Sequence, residues 1–166
     1  MVREIKKNVK AENTQQQILD DLDFEIITRL QKDGRTSYTE IAEELRITVG
    51  TVRNRVQRLT ENEILKIVGV VNPFKTGNPS VTMFGIKVQL HLLEDVISEL
   101  VKIPEVRFVA AATGVYDIYA EVITSSNEEL YKVFKSQMSK IEGIELMDSS
   151  LLLAIYKQTY DWEVGT

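Results

Sequence analysis

The chain contains no cysteine, one tryptophan, one histidine and three prolines. Without cysteine there is no disulfide, no thiolate zinc site and no cysteine nucleophile. The one histidine, His91, ends a predicted strand beside "LLED". A lone imidazole with no neighbouring nucleophile or orienting carboxylate reads as an exposed residue, not a catalyst. The paired acids Glu43/Glu44 and Glu128/Glu129 are sequence neighbours, so each pair diverges on its helix and reads as solvated surface. No cluster has metal-ligand spacing. Neither metal, cofactor nor enzymatic activity is expected. Long apolar runs are also missing: nothing approaches the roughly 18 residues that span a bilayer. The opening stretch "MVREIKKNVKAENTQQQ" lacks the apolar segment of a secretory signal. No membrane contact is expected, and a cytoplasmic location is.

The composition, 43% hydrophobic and 27% charged with a net charge of -5, is that of a globular protein. The charge is unevenly placed. Residues 1–71 hold 12 Lys/Arg and 12 Asp/Glu, whereas residues 72–166 hold 8 and 13. The second part thus carries the whole acidic excess, although the stretch "TVGTVRNRVQRL" in the first part concentrates Arg53, Arg55 and Arg58. Two parts with different partners are implied.

Residues 1–20 form a polar extension with Lys6, Lys7 and Lys10, read as a tail. From Leu22 the apolar pattern becomes helical: Leu22, Ile26, Ile27 and Leu30 share one stripe. Gly34 in "KDGR" is expected to end this helix as a left-handed cap. Ser37 and Glu40 have capping-box spacing and open a second helix burying Ile41, Ala42 and Leu45. Thr48 is an N-cap for a third helix reaching about Glu61, with Val49, Val52, Val56 and Leu59 inside. Three short helices joined tightly over residues 21–65 predict a helix-turn-helix domain of the three-helix or winged type.

At 100° per residue, Gly50, Asn54 and Gln57 point away from that inner stripe, flanked by Thr51, Arg53 and Arg58, with Arg55 nearer the buried boundary. No carboxylate lies between Thr48 and Thr60. Such a donor-rich face suits phosphates and guanine edges in a DNA major groove. The alternative is a solvated helix whose arginines pair with Glu43, Glu44 or Glu61. For double-stranded DNA, the base-reading candidates are Gly50, Thr51, Arg53 and Asn54. The phosphate candidates are Arg35, Ser37, Thr48, Arg55 and Arg58.

Residues 66–80 read as a hinge strand, "KIVGVVNPF", and a loop. Residues 81–157 contain an internal duplication. Val81–Leu90 alternates as a strand, then Leu92, Val96, Leu100 and Ile103 form a helical stripe before the strand "EVRFVAAAT". Asp117–Ile123 is again a strand, and Leu130, Phe134, Met138 and Ile141 repeat the stripe at an offset of 38 before "IELMDSSLLLAIY". Two βαβ units predict an α+β, ferredoxin-like βαββαβ domain: a four-stranded antiparallel sheet with both helices on one face. Val109, Ala111, Tyr119 and Ile123 suggest apolar residues on both faces, so a second copy of the chain is expected over the open one. Residues 158–166 form a C-terminal tail whose Trp162 is expected to pack on a neighbour.

The segment from Leu22-Asp23 through "DGR" and "TVRNRVQRL" resembles the DNA-binding half of the Lrp/AsnC, or feast/famine, transcription regulators. The hinge, the "TGVYDIYAEV" turn and the duplicated βαβ resemble the effector half of that family. The likeness spans residues 21 to about 157. It implies a homodimer formed through the C-terminal sheets, assembly of dimers into octamers, and a small amino-acid effector held between dimers in a ferredoxin-like domain of the RAM type. The effector positions it implies are Gly114, Tyr116 and Asp117, with Met147 and Ser149 on the last strand. This chain departs from the family there, carrying Met147, Asp148 and Ser149 where members often have hydroxyl residues.

The chemistry of the turn is compatible with that role. Gly114 permits a tight turn whose amide N–H groups could receive a carboxylate, and Asp117 offers charge for an α-ammonium. The competing reading is a hairpin turn whose Asp117 bonds the chain's own backbone. Two other functional readings stand beside a sequence-specific regulator. One is an architectural DNA-compacting protein. The other is a relative of the sirohaem decarboxylases, which share the two-part plan and for which His91 would be the only candidate.

Overall fold

A carboxylate at each end of the motif Asp20-x-x-Asp23 starts the first helix. The computed structural model describes residues 19–162 and Val164, and in it Asp20 caps α1 (Asp21–Lys32). The Asp20 side chain accepts from the Asp23 N–H and the Asp23 side chain from the Asp20 N–H, a complete capping box. Ser37 caps α2 (Tyr38–Leu45) by accepting from the Glu40 N–H, and Thr48 caps α3 (Val49–Glu61) by accepting from the Thr51 N–H. Each cap satisfies a backbone donor that the first helical turn leaves without a partner. The inner faces of the three helices meet in a core of Ile26, Ile27, Leu30, Ile41, Ala42, Val52, Val56 and Leu59.

Two sequence expectations fail in this part. Gly34 is not a left-handed cap; Asp33 ends α1 in extended backbone. Gly34 matters instead for close approach, since a Cβ there would lie 3.1 Å from the Ile67 side chain. The left-handed positions fall on Arg46 and Glu63, at φ 56° and 59°. The hinge strand is also absent: residues 66–72 have no regular structure. A single β-prone run without a partner strand has nothing to bond its backbone to. Its Ile67, Val68, Val70 and Val71 side chains stand exposed.

The second unit comprises residues 71–156, while residues 157–162 and Val164 group with the helical unit. Its elements are β1 (Ser80–Val88), α4 (Leu93–Leu100), β2 (Val106–Ala111), β3 (Ile118–Thr124), α5 (Asn127–Ser136) and β4 (Ile144–Leu151). All pairings are antiparallel, in the order β2-β3-β1-β4, the ferredoxin-like arrangement. One face buries Phe84, Ile86, Val88, Ile118, Ala120 and Val122 against Val96 and Leu100 of α4 and Val133 of α5. Register assigns the remaining side chains to faces. Val109 pairs with Ala120 and Ala111 with Ile118, so both lie on the helix-covered side. Tyr119, Ile123 and Phe108 lie on the other, where Phe108 and Tyr119 remain 49% and 38% exposed. Strand β4 ends at Leu151, short of the predicted "AIY". Trp162, 68% exposed, lines with Tyr160 and Val164 an apolar groove of about 660 Å³ formed with Phe24, Ile27 and Ile67 of its own unit.

Candidate nucleic-acid interface and effector face

Helix α3 buries Val52, Val56 and Leu59 and turns Gly50, Arg53, Asn54 and Gln57 outward, with Thr51 half-buried beside them. Thr51 also exchanges a 2.9 Å hydroxyl contact with Thr48, which holds both side chains at the helix start. Ser37 and Thr48 are exposed at the N-termini of α2 and α3. Arg35 is 92% exposed, with a loose contact of 3.3 Å to Asp33. The Asp33 carboxyl titrates below the ordinary carboxylate range, chiefly because it accepts from the Arg35 backbone N–H.

The arginines of α3 divide into two kinds. Among the described residues Arg53 has no ion-pair partner and is exposed. Arg55 and Arg58, expected to reach phosphates, do not project freely. Arg55 Nη1 donates to both Asp20 oxygens at 2.6 and 2.7 Å and to Asp23 Oδ1 at 2.9 Å. Arg58 Nη2 donates to Asp23 Oδ2. The carboxylates come from α1, across the domain, and not from Glu43, Glu44 or Glu61. Glu44 pairs with Arg29 at 2.7 Å, and Glu61 accepts from Gln57 at 2.8 Å. The physical reason is burial. Asp23 is completely inaccessible, and a buried carboxylate requires charged donors. The Arg55 guanidinium beside Asp20 holds that carboxyl below its usual range. Sequence reasoning assigned Asp20 to the tail and missed this network. The Asp-x-x-Asp spacing ahead of an apolar helix was its visible signal.

On the sheet, Gly114 takes φ 118°, a conformation that favours glycine, and begins the turn into β3. The Tyr116 ring lies across Gly85 so closely that a Cβ there would come within 2.5 Å of it. Its hydroxyl donates to Asp148 at 2.5 Å, and its ring meets Tyr119 edge-on at 5.8 Å. The Asp148 hydrogen bond raises the Tyr116 phenol above its ordinary value. Asp117 is engaged by the chain itself. Its Oδ2 accepts from the Val88 N–H at 3.0 Å, and Lys87 Nζ lies 3.8 Å from Oδ1. Gly114, Tyr116 and Asp117 therefore gather at one turn, but Met147 and Ser149 do not join Tyr116. They pair with Ile86 and Phe84 and so share the helix-covered side, whereas Asp148 pairs with Gly85 and faces the tyrosines. Strand parity, applied to β4, would have selected Asp148. Gly85 inside a strand was the other available signal of close approach.

His91 is exposed in the short turn before α4. Among the described residues no three His, Asp or Glu side chains gather as metal ligands, and no helix is long and apolar enough to cross a membrane.

Comparison with known proteins agrees with this two-part layout. Residues 19–66 match the winged helix-turn-helix DNA-binding family, and residues 81–162 match the Lrp/AsnC ligand binding domain. An uncharacterised HTH-type transcriptional regulator of Pyrococcus horikoshii is 36% identical over 143 residues, covering 86% of this chain and 90% of the relative. Among solved structures, Escherichia coli AsnC superposes with a TM-score of 0.73 at 23% identity, covering 85% of this chain and 96% of AsnC. A transcriptional regulator of Neisseria meningitidis, solved as its complex with L-Met, superposes with a TM-score of 0.74 at 20% identity, covering 86% and 95%. A capped helix-turn-helix unit, a ferredoxin-like unit and relatives matched along most of their length place the chain in the Lrp/AsnC family of HTH-type, DNA-binding transcriptional regulators.

Proposed function

We propose that the chain regulates transcription by sequence-specific binding of α3 in the DNA major groove. The observation that carries this is the outward face of α3: Gly50, Arg53 and Asn54 are exposed around Thr51, with no carboxylate among them. Arg53 and Asn54 have the donors and acceptors that read base edges, and Gly50 lets the backbone approach closely. Arg35, Ser37 and Thr48 hold the phosphates, the latter two at helix N-termini where anions are favoured. Arg55 and Arg58 fix α3 to α1, with their phosphate role reduced by Asp20 and Asp23.

The working form is a homodimer, with octamers built from four dimers. Exposed Phe108, Tyr119 and Leu146 on the sheet and the unpaired apolar run at residues 67–71 support it, since a lone chain leaves these in water. Two copies of α3 then meet half-sites about one helical turn, or a multiple, apart. The effector is a small amino acid at an interface between copies, near Gly114, Tyr116 and Asp117, with Asp148 as the exposed carboxylate. The L-Met complex of the Neisseria relative supports that ligand class.

Selection of binding duplexes from a random pool, repeated with each of the twenty amino acids, tests both parts. A phased consensus is expected, with affinity or assembly altered by one or a few amino acids. Uniform coverage without a consensus rejects sequence-specific regulation in favour of DNA compaction.

A further inference from the structure

Arg55 lies on the helix read as entering DNA, yet the chain already supplies it with an anion. We infer that Asp20 is an affinity-limiting residue: its carboxylate occupies Arg55 Nη1 in place of a DNA phosphate and so weakens sequence-independent binding. This rests on the reading that α3 enters a DNA groove. Arg–carboxylate and Arg–phosphate pairs use the same charge-assisted donors, so one excludes the other at a given guanidinium edge. Asp20 reaches Arg55 Nη1 with both oxygens, at 2.6 and 2.7 Å. The pair sits at the surface, not in the core: the Asp20 side chain is 53% exposed and that of Arg55 24%.

Asp20 is held in place for this task. Its Oδ1 accepts from the Asp23 N–H at 2.9 Å as the cap of α1, so the carboxylate is fixed before DNA arrives. Asp23 engages Arg58 and shares Arg55 Nη1 with Asp20. Among the described residues, then, Arg53 is the arginine of α3 without a carboxylate, and it is also the one on the base-reading face. Sequence-independent affinity comes from phosphates, each neutralised phosphate changing the slope of log K against log salt by about 0.9. Occupying Arg55 internally removes one such contact per protomer from every site, specific or not. Affinity for DNA of any sequence falls by that one contact, and the difference between sites is left to the base-facing side chains.

Asparagine caps a helix about as well as aspartate, so Asp20→Asn removes the charge and keeps the cap; Asp20→Ser is a second neutral capping variant. The full chain is titrated with a random-sequence duplex over a salt series as wild type, Asp20→Asn, Asp20→Ser, Arg55→Gln and the double variant Asp20→Asn/Arg55→Gln. The expected result is tighter non-specific binding for both Asp20 variants, with a slope steeper by about 0.9 per bound protomer. Arg55→Gln alone keeps the wild-type slope, and the double variant returns to it. Three results overturn the proposal while wild type still binds DNA: an Arg55→Gln slope shallower by about 0.9, Asp20 variants unchanged from wild type, or a gain that persists in the double variant and so reflects net charge alone. A wild-type chain that binds no duplex overturns the DNA reading beneath it.

Discussion

Asp23→Asn removes one charge at the centre of the helical unit while keeping size and shape. Asp23 is fully buried, accepts from Arg55 at 2.9 Å and from Arg58, and closes the capping box of α1. Breaking a buried ion pair by removing one partner costs about 3–5 kcal/mol. Two features reduce that figure here. Arg55 keeps its bond to Asp20, and the Arg58 side chain is 41% exposed, so water replaces the lost partner there. One asparagine oxygen still accepts a hydrogen bond. Loss of about 2 kcal/mol is expected, in the range of hydrogen bonds to charged groups. For a domain of this size each kcal/mol moves the midpoint by roughly 4–8 °C, so melting should fall by roughly 10 °C. Trp162, the single tryptophan, lines the groove of the same unit and provides a fluorescence signal to set beside circular dichroism. A loss below about 0.5 kcal/mol, typical of an indifferent surface substitution, refutes the reasoning that Asp23 ties α1 to α3.

Two other perturbations probe the two faces. Arg53→Ala should cost about 1–3 kcal/mol at one base position and relax preference there, read by competition with single-substituted duplexes; uniform weakening across all sequences makes Arg53 a phosphate contact instead. The raised Tyr116 phenol has a definite sign: its bond to Asp148 stabilises the fold below the ordinary tyrosine value and is lost as pH rises through the raised one. Ultraviolet titration should show one late-ionising tyrosine of the six, restored to ordinary behaviour by Gly85→Ala, whose Cβ would displace the ring. A late tyrosine that persists in Gly85→Ala contradicts the stacking.

The helical stripes and caps were legible because they depend on neighbours three and four residues apart: Ser37, Thr48, Val52, Val56 and Leu59 sit as their spacing requires. The duplicated βαβ was legible for the same local reason, each strand and stripe being complete in itself. What escaped depends on residues far apart in the chain. Asp20 and Asp23 lie about thirty-five residues from the arginines they bind, and nothing in "TVRNRVQRL" announces carboxylates from another helix. The helical wheel gave the direction of Arg55 and Arg58 correctly but not their partners. At the effector turn, the family resemblance pointed to Met147 and Ser149, whereas the antiparallel register places Asp148 on the tyrosine side. The hinge run has strand composition without a strand to pair with, so its β-branched residues gave the wrong local structure.

The absence of cysteine allows a direct test of which surface meets DNA. A single thiol is introduced at Asn54 on the outward face of α3, or at exposed Glu142 on the second unit as a control, and maleimide labelling is followed with and without a saturating selected duplex. Strong protection of Asn54→Cys by DNA, with Glu142→Cys labelled at its unbound rate, is the predicted result. Equal labelling of the Asn54→Cys thiol in free and fully bound protein contradicts a major-groove role for α3.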